Sequence, residues 1–237
     1  MDTLYIVIPA YNEEKNIENV INDWYPIVEK YNGDGNSRIV VINDGSKDHT
    51  YDIMQKCAKE RPLLVPVTKE NSGHGGTVLY GYQYALEQGA DYVFQTDSDG
   101  QTLPEEFAPF WDGRKHYDMV IGLRNNRQDG FSRVVVTKVL KLVIRVCFGV
   151  NVPDANTPYR LMKADSLKKA VEKIPDGFNL SNVLVSVYFE KKMKTKYIPI
   201  TFRQRQGGKN SINIKNIVKI GYKALGDFAK LNKQMKE

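Results

Sequence analysis

The sequence predicts an α/β protein with a mainly parallel central sheet flanked by helices. Short apolar runs alternate with longer amphipathic stretches along the first half of the chain, which is the pattern of repeated strand–helix units. The connections between these stretches are short, as right-handed crossovers require. The chain has 237 residues, of which 41% are hydrophobic and 26% charged, so it is long enough for one large α/β domain with a sizeable core.

Five strands are predicted in the first half of the chain, at residues 4–9, 38–43, 63–68, 92–94 and 118–122. The first is a continuous apolar run, as expected of a central parallel strand that is covered on both faces. Helices ending near residues 31 and 60 follow the first two strands, since acidic residues suit the first turn of one and turn residues precede the other. A third helix is predicted at 77–88.

The second half of the chain departs from this regular alternation. A helix is predicted at 133–146, with Lys138, Lys141 and Arg145 on one stripe and nine apolar residues over the rest. Such an apolar helix surface has two possible explanations. Packing against the sheet is the favoured interpretation, and contact with a membrane interface is the alternative. A short strand ending at residue 162, helices at 166–174 and 180–192, a strand at 196–202, a basic loop at 203–211 and an amphipathic helix at 214–231 complete the chain.

Positive charge is concentrated near the C-terminus. The formal net charge is +6, and residues 191–237 carry 13 Lys and Arg against 2 Asp and Glu, so the preceding part is acidic. This distribution indicates an anionic partner: phosphate groups, an acidic membrane surface or nucleic acid. Nucleic acid is not expected, because aromatic residues in the basic region are too few for a base-stacking platform. Two cysteines fit a reducing compartment, and neither a signal peptide nor a membrane-spanning run is expected.

Two carboxylates, Asp97 and Asp99, follow the fourth predicted strand, with only Ser98 between them. The carboxyl edge of an open α/β sheet is where ligands bind, and paired hard oxygens suit Mg²⁺ or Mn²⁺. Taken alone, such a pair is more often a solvated turn. Polar clusters at 9–13 and 43–46 end two other predicted strands at the same edge, so a shared cleft is the better interpretation.

A glycine-rich segment at 71–76 precedes the third predicted helix. It has neither the Gly-Lys-Ser/Thr ending of a P-loop nor the spacing of a dinucleotide fingerprint. Its backbone amides can meet a phosphate at the start of the helix. Equally, its glycines can serve only to let neighbouring elements approach closely, and the sequence leaves both interpretations open.

Three ordered segments carry a resemblance to a known family. The stretches at 7–14 (VIPAYNEE), 41–48 (VINDGSKD) and 97–101 (DSDGQ) resemble family 2 glycosyltransferases of GT-A fold. Arg124, the segment from Asp154 to Tyr159 and Arg160, and the basic loop at 203–211 resemble features of the subgroup of dolichyl- and polyprenyl-phosphate sugar synthases. The resemblance spans nearly the whole chain. His74, where relatives often carry lysine, and Thr157 with Pro158 depart from the subgroup pattern.

The resemblance implies a single domain, with a nucleotide-binding half at 1–123, an acceptor-binding half at 124–212 and a C-terminal helix at 213–237. It assigns the donor nucleotide-sugar to Pro9, Ala10, Tyr11, Asn12, Glu13, Asp44, Gly75, Asp97, Ser98, Arg203 and Lys209. Asp44 would contact the base. It assigns a Mg²⁺ or Mn²⁺ ion to Asp97, Asp99 and Gln101, an acceptor phosphate to Arg124, Arg133 and Thr137, and catalytic roles to Asp97, Asp99, Asp154 and Arg205.

The implied reaction is in-line displacement with inversion at the anomeric carbon. The expected acceptor is a polyprenyl or dolichyl phosphate, which is already an anionic nucleophile. If the acceptor is instead a saccharide hydroxyl, a carboxylate must take the proton, and Asp154 is the candidate base. Asp154 can equally cap its loop and pair with Arg160. A nucleotidyltransferase is disfavoured, because no glycine-rich basic loop follows Pro9. The expected location is cytoplasmic, with peripheral contact at the inner face of an anionic membrane.

Overall fold

A seven-stranded sheet forms the centre of the protein in the computed structural model. The structure describes residues 2–125, 131–175, 178–204 and Phe228, and for 125 and 131–138 it describes the backbone only. The strands are β1 (Leu4–Ala10), β2 (Arg38–Asp44), β3 (Leu64–Lys69), β4 (Tyr92–Gln95), β5 (Met119–Asn125), β6 (Arg160–Lys163) and β7 (Thr195–Thr201).

The sheet order is β3-β2-β1-β4-β6-β5-β7. Strand β1 pairs in parallel with β2 on one side and β4 on the other. Among the described strands, β6 is the antiparallel member, since it pairs antiparallel with both β4 and β5. The predicted α/β class with a mainly parallel sheet is therefore confirmed. This order places the carboxyl ends of β2, β1 and β4 side by side at one edge.

Helices cover both faces of the sheet. They are α1 (Ile17–Lys30), α2 (Thr50–Ala58), α3 (Gly73–Glu87), α4 (Ala108–Gly113), α5 (Phe131–Phe148), α6 (Ala164–Val171) and α7 (Ser181–Lys192), with a 3₁₀ turn at Pro104–Glu106. Across the described part of the chain, no helix combines the length and apolarity needed to cross a bilayer.

The side chains of β1 alternate between two hydrophobic clusters. Tyr5 and Val7 pack on the side of α3 and α7, whereas Ile6 and Ile8 pack on the side of α1. All seven residues of β1 are buried. Successive strand residues point to opposite faces, so a strand covered on both faces is apolar at every position. The burial of β1 on both faces therefore explains why its sequence is a continuous apolar run.

Two sequence predictions about helices were wrong. Helix α3 begins at Gly73, not at residue 77, and α4 was not predicted at all. Helix α4 is short and depends on aromatic packing: Phe107, just before it, lies against Phe94 with ring centroids 4.9 Å apart, edge to face. Phe110 packs in the same way on Tyr159, at 4.7 Å. These contacts join residues that are far apart in the sequence, so no local sequence pattern predicts them.

Other boundaries differ by a few residues. Strand β5 extends to Asn125 rather than 122, and α5 spans Phe131–Phe148 rather than 133–146. The predicted helix at 214–231 and most of the predicted basic loop lie outside the described residues. Phe228 is described, and it is helical and buried, with its ring against Phe148 and Phe178. The division at 123 and 212 stays a prediction.

Candidate active site

The loops after β1 and β2 are joined by hydrogen bonds at the sheet edge. Asn12 has a positive φ of 55°, a conformation that asparagine tolerates better than most residues. Its amide donates to Ser46 Oγ at 2.9 Å, and its Oδ1 accepts from the Lys47 amide at 2.9 Å. Asn12 therefore supports the cleft wall through its own side chain.

The other predicted residues after β1 differ in exposure. Pro9 and Ala10 end the strand and are buried, whereas Tyr11 is 44% exposed. Glu13 is buried, its amide donates to Thr50 Oγ1 at 2.8 Å, and its carboxylate accepts from Asn16 Nδ2 at 2.7 Å. Of this set, Tyr11 has the accessible side chain that a nucleoside contact needs.

Asp44, at the end of β2, holds the start of α3. One carboxylate oxygen accepts from the Lys69 ammonium at 2.5 Å and from the Ser72 amide at 2.8 Å, and the other accepts from the Gly73 amide at 3.0 Å. Its side chain is 4% exposed. Orphan amides at a helix start attract a carboxylate, so Asp44 caps α3 from another strand. Contact with the base stays a prediction.

The glycines at the start of α3 permit close approach. A Cβ built on Gly75 would overlap the backbone carbonyl of Asn179. The amides of Ser72 and Gly73 already donate to Asp44. These contacts support the close-approach interpretation of the glycine-rich segment, and contact between Gly75 and a donor phosphate stays a prediction.

The Asp97–Asp99 motif directly follows β4. Asp97 Oδ1 lies 3.1 Å from both His74 Nε2 and Gln95 Nε2. Partial desolvation disfavours the charged imidazole of His74, whose side chain is 50% exposed, but the charge and hydrogen bond of Asp97 outweigh this effect, and the pKa of His74 is raised. Asp99 Oδ1 accepts from the Gln101 amide at 3.2 Å. Ser98 is buried.

Gln101 connects this motif to the end of β7. Its side-chain Nε2 donates to the Arg203 carbonyl at 2.7 Å, and its carbonyl accepts from the Arg203 amide at 2.9 Å. The pair is 102 positions apart in sequence. The backbone of the first residue of the predicted basic loop is therefore bound to the loop that carries Asp97 and Asp99.

Arg124 and Asp154 form a bidentate ion pair. Arg124 Nε and Nη2 each donate to a different oxygen of Asp154, both at 2.8 Å. The Arg124 guanidinium lies over the Phe202 ring, 5.0 Å from its centroid. The two charged side chains are 11% and 6% exposed, so the pair is largely shielded from water. The fork geometry explains why arginine, not lysine, stands here.

The predicted pairing of Asp154 with Arg160 was wrong. Arg160 is fully buried, and its guanidinium donates to the carbonyls of Thr157 and Asn182 and to Ser186 Oγ. Burial lowers the pKa of Arg160, while nearby Tyr82 and Asp154 oppose this shift. Arg160 thus joins the loop before β6 to α7 instead of neutralising Asp154.

The donor set at the edge fits a hard divalent cation. Asp97, Asp99 and Gln101 offer carboxylate and amide oxygens on one short loop. Within residues 2–125, 131–175 and 178–204, no cluster of three or more His, Cys, Asp and Glu side chains could hold a metal. Mg²⁺ sites commonly use one or two carboxylates and take their remaining ligands from substrate phosphates and water.

Several predicted site residues cannot be placed. Arg205 and Lys209 lie outside the described residues, and Arg133 and Thr137 are on α5 where only the backbone is described. Conversely, the structure brings His74, Gln95 and Lys69 to the site, which the sequence reasoning did not assign to it. The signal available in the sequence for Gln95 is a glutamine that directly follows the apolar run of β4, two positions before Asp97.

The comparisons with known proteins agree with this fold. The profile described as Glycosyl transferase family 2 matches residues 5–171. The chain belongs to that family and is a glycosyltransferase.

Two relatives specify the similarity further. A UDP-N-acetylglucosamine–dolichyl-phosphate N-acetylglucosaminyltransferase of Methanococcus voltae is 31% identical over 193 residues, which cover 72% of this chain and 73% of that protein. An undecaprenyl-phosphate mannosyltransferase of Micrococcus luteus is 28% identical over 221 residues, which cover 87% and 86% of the two chains.

A solved structure has the same architecture. Glucosyl-3-phosphoglycerate synthase of Mycobacterium tuberculosis, crystallised with Mn²⁺, uridine diphosphate and glucosyl-3-phosphoglycerate, superposes with a TM-score of 0.68. Sequence identity is 18%, and the match covers 98% of this chain and 80% of that one. At this identity the likeness establishes the GT-A fold alone.

Proposed function

We propose that the protein transfers a sugar from a nucleoside-diphosphate sugar to a polyprenyl or dolichyl phosphate, with inversion at the anomeric carbon. The observation that carries the proposal is the pair of hydrogen bonds between Gln101 and the Arg203 backbone, which joins the start of a basic segment to the loop that carries Asp97 and Asp99. Both relatives described above act, by name, on phosphates of long-chain polyprenols, which supports a lipid phosphate as acceptor.

On the donor side, the leaving nucleoside diphosphate develops negative charge. Asp97, Asp99 and Gln101 would hold a Mg²⁺ or Mn²⁺ ion, which supplies Lewis-acid stabilisation of that charge. The Mn²⁺ in the Mycobacterium tuberculosis structure supports a divalent ion in this role. Arg205 and Lys209, which follow Arg203 in sequence, are proposed to lie over the phosphates and exclude water.

On the acceptor side, a phosphate monoester is already an anion and needs no general base. Arg124 uses two of its N–H groups on Asp154, and a guanidinium has further N–H donors for an acceptor phosphate. Asp154 in turn fixes the Arg124 fork. Arg133 and Thr137 are proposed to join Arg124 at the acceptor phosphate.

Transfer to a saccharide hydroxyl is the less favoured alternative. It requires a free carboxylate to take a proton, and both oxygens of Asp154 accept from Arg124. A proton transfer to Asp154 would break at least one of these charge-assisted hydrogen bonds. The pair therefore fits a positioning role better than a base.

The test combines a panel of nucleotide-sugars with polyprenyl phosphate in detergent and detects the lipid-linked sugar by mass spectrometry. We expect product with at least one donor, and loss of product on chelation of divalent ions. Asp97→Asn and Asp99→Asn should lower the rate by about 10²-fold or more, because charge stabilisation of the leaving group is lost. Asp112→Asn alters an exposed carboxylate on α4 and is the matched control. Normal rates in both site variants would contradict the metal assignment.

We further propose that α5 contacts an anionic membrane surface, where a lipid acceptor resides. Val139, Leu142 and Val146 lie three and four positions apart on this helix and are 54%, 63% and 75% exposed. Lys141 and Arg145 on the same helix are also exposed. An exposed apolar stripe beside cations suits the boundary between anionic headgroups and acyl chains.

Vesicle flotation tests this contact. The wild type should bind vesicles that contain phosphatidylglycerol, and this binding should weaken at high salt. Leu142→Glu should weaken binding about tenfold or more, because the leucine side chain that would be buried in the membrane is lost. Tyr80→Glu, on α3, replaces another exposed large hydrophobic residue and serves as the control. Equal binding by both variants would contradict the role of α5.

A further inference from the structure

Gln95 is a buried polar residue at the last position of β4. Its side chain is fully buried, although the rest of β4 is Tyr92, Val93 and Phe94. Burying an amide costs free energy unless each polar atom has a partner. Its presence in the core therefore points to what its amide binds.

The amide of Gln95 links two groups. Its Nε2 donates to Asp97 Oδ1 at 3.1 Å, and its Oε1 accepts from the Tyr82 hydroxyl at 3.3 Å. Residues two apart on an extended chain share a face, which is why Gln95 can reach Asp97. Burial raises the pKa of Tyr82 to about 12, so its hydroxyl keeps its proton and donates.

Only one orientation of the Gln95 amide satisfies both neighbours. With nitrogen and oxygen exchanged, Oε1 would face the Asp97 carboxylate, and two acceptors would meet without a proton between them. The Asp97 carboxylate, which can only accept, thus determines which end of the amide faces it, and the hydroxyl of Tyr82, which is fully buried on α3, donates to the oxygen at the other end.

A second donor reaches the same oxygen of Asp97. His74 Nε2 lies 3.1 Å from Oδ1, the atom that also accepts from Gln95. Among the described residues, no hydrogen bond engages Asp97 Oδ2. The Asp97 side chain is 25% exposed, so it is reachable from the cleft.

We propose that Gln95, held at its amide oxygen by Tyr82, is a positioning residue that holds Asp97 with Oδ1 bound internally and Oδ2 presented to the divalent cation of the donor diphosphate. The proposal rests on the proposed function, in which Asp97 is a metal ligand. Partners that hydrogen-bond a ligating carboxylate orient it, and their loss weakens metal binding by about 10- to 100-fold.

The experiment measures Mn²⁺ binding to the full chain by electron paramagnetic resonance, in the presence of UDP, GDP, ADP, CDP or TDP. Gln95→Leu should weaken Mn²⁺ binding by about 10- to 100-fold and lower the melting temperature by a few degrees, because the buried Tyr82 hydroxyl loses its acceptor although a leucine suits the interior of β4. Tyr82→Phe should weaken Mn²⁺ binding less, since the Gln95 amide keeps its hydrogen bond to Asp97 and loses only the hydroxyl that anchors its oxygen. Tyr25→Phe removes a hydroxyl that accepts from the Leu63 amide on the opposite face, and it is the matched control.

His74 provides a further comparison. His74→Gln retains an N–H donor near Oδ1 and should retain more Mn²⁺ binding than His74→Leu. Unchanged Mn²⁺ binding in Gln95→Leu, with normal binding by the wild type, would overturn the positioning role alone. A wild type that binds no Mn²⁺ with any of these nucleotides would overturn the metal site of the proposed function, and the positioning role with it. If Tyr25→Phe weakened Mn²⁺ binding as much as Gln95→Leu does, the positioning role would also be overturned.

Discussion

Asp44 provides a test that separates a structural role from a ligand-binding role. Asp44→Ala removes the partner of the Lys69 ammonium and of the Ser72 and Gly73 amides. Removing one member of a buried ion pair costs about 3–5 kcal/mol, and Lys69 keeps contacts to Ser72 Oγ and the Glu70 carbonyl, which favours the lower value. A loss of about 3 kcal/mol lowers the melting temperature of a chain of this size by roughly 6–12 °C.

The assay is thermal unfolding with and without a saturating nucleoside diphosphate. Asp44→Asn keeps one acceptor oxygen and should lose about half as much stability, since only the charge and one acceptor are removed. Asp112→Asn controls for removal of a surface carboxylate. A melting temperature of Asp44→Ala within about 2 °C of the wild type would refute the capping role. If the melting temperature of Asp44→Ala is unchanged but the nucleoside diphosphate no longer raises it, the Asp44 carboxylate binds the base of the nucleotide instead.

Three further predictions concern other parts of the molecule. Asp154→Asn should lower kcat less than about 10-fold, because loss of a true general base costs about 10²–10⁴-fold, and a larger loss at saturating donor would favour the saccharide acceptor. Gly75→Ala should destabilise the protein and raise the donor KM, because the added Cβ overlaps the Asn179 carbonyl; an unchanged KM and melting temperature would contradict that contact. Phe107→Ala should cost about 3–5 kcal/mol in urea unfolding, since it removes a ring buried between aromatic neighbours, and a cost near zero would contradict its role in holding α4.

Elements with a local signal were predictable from sequence. The five strands of the first half form where apolar runs end in turn residues, and the structure agrees to within a few positions at their ends. The Asp97–Asp99 motif was predictable for the same reason, because it directly follows a buried strand. Parallel topology then brings the ends of β1, β2 and β4 together.

Elements with long-range causes were not predictable. Helix α3 starts four residues early because Asp44, 28 and 29 positions away, accepts from the Ser72 and Gly73 amides. The sequence offers Arg160, on the same short segment, as a partner for Asp154, whereas the structure pairs Asp154 with Arg124 on β5. The hydrophobic periodicity of the sequence does not predict such contacts, because they depend on how the strands are ordered in the sheet.

The most direct test of the central claim compares polyprenyl phosphate with the polyprenol of the same chain length, each supplied with the productive nucleotide-sugar. We expect sugar transfer to the phosphate alone, and a product whose mass and phosphorus spectrum show a sugar–phosphate–lipid diester. Equal transfer to the free alcohol, or transfer to saccharides with none to the lipid phosphate, would contradict the proposal that the acceptor is an anionic phosphate.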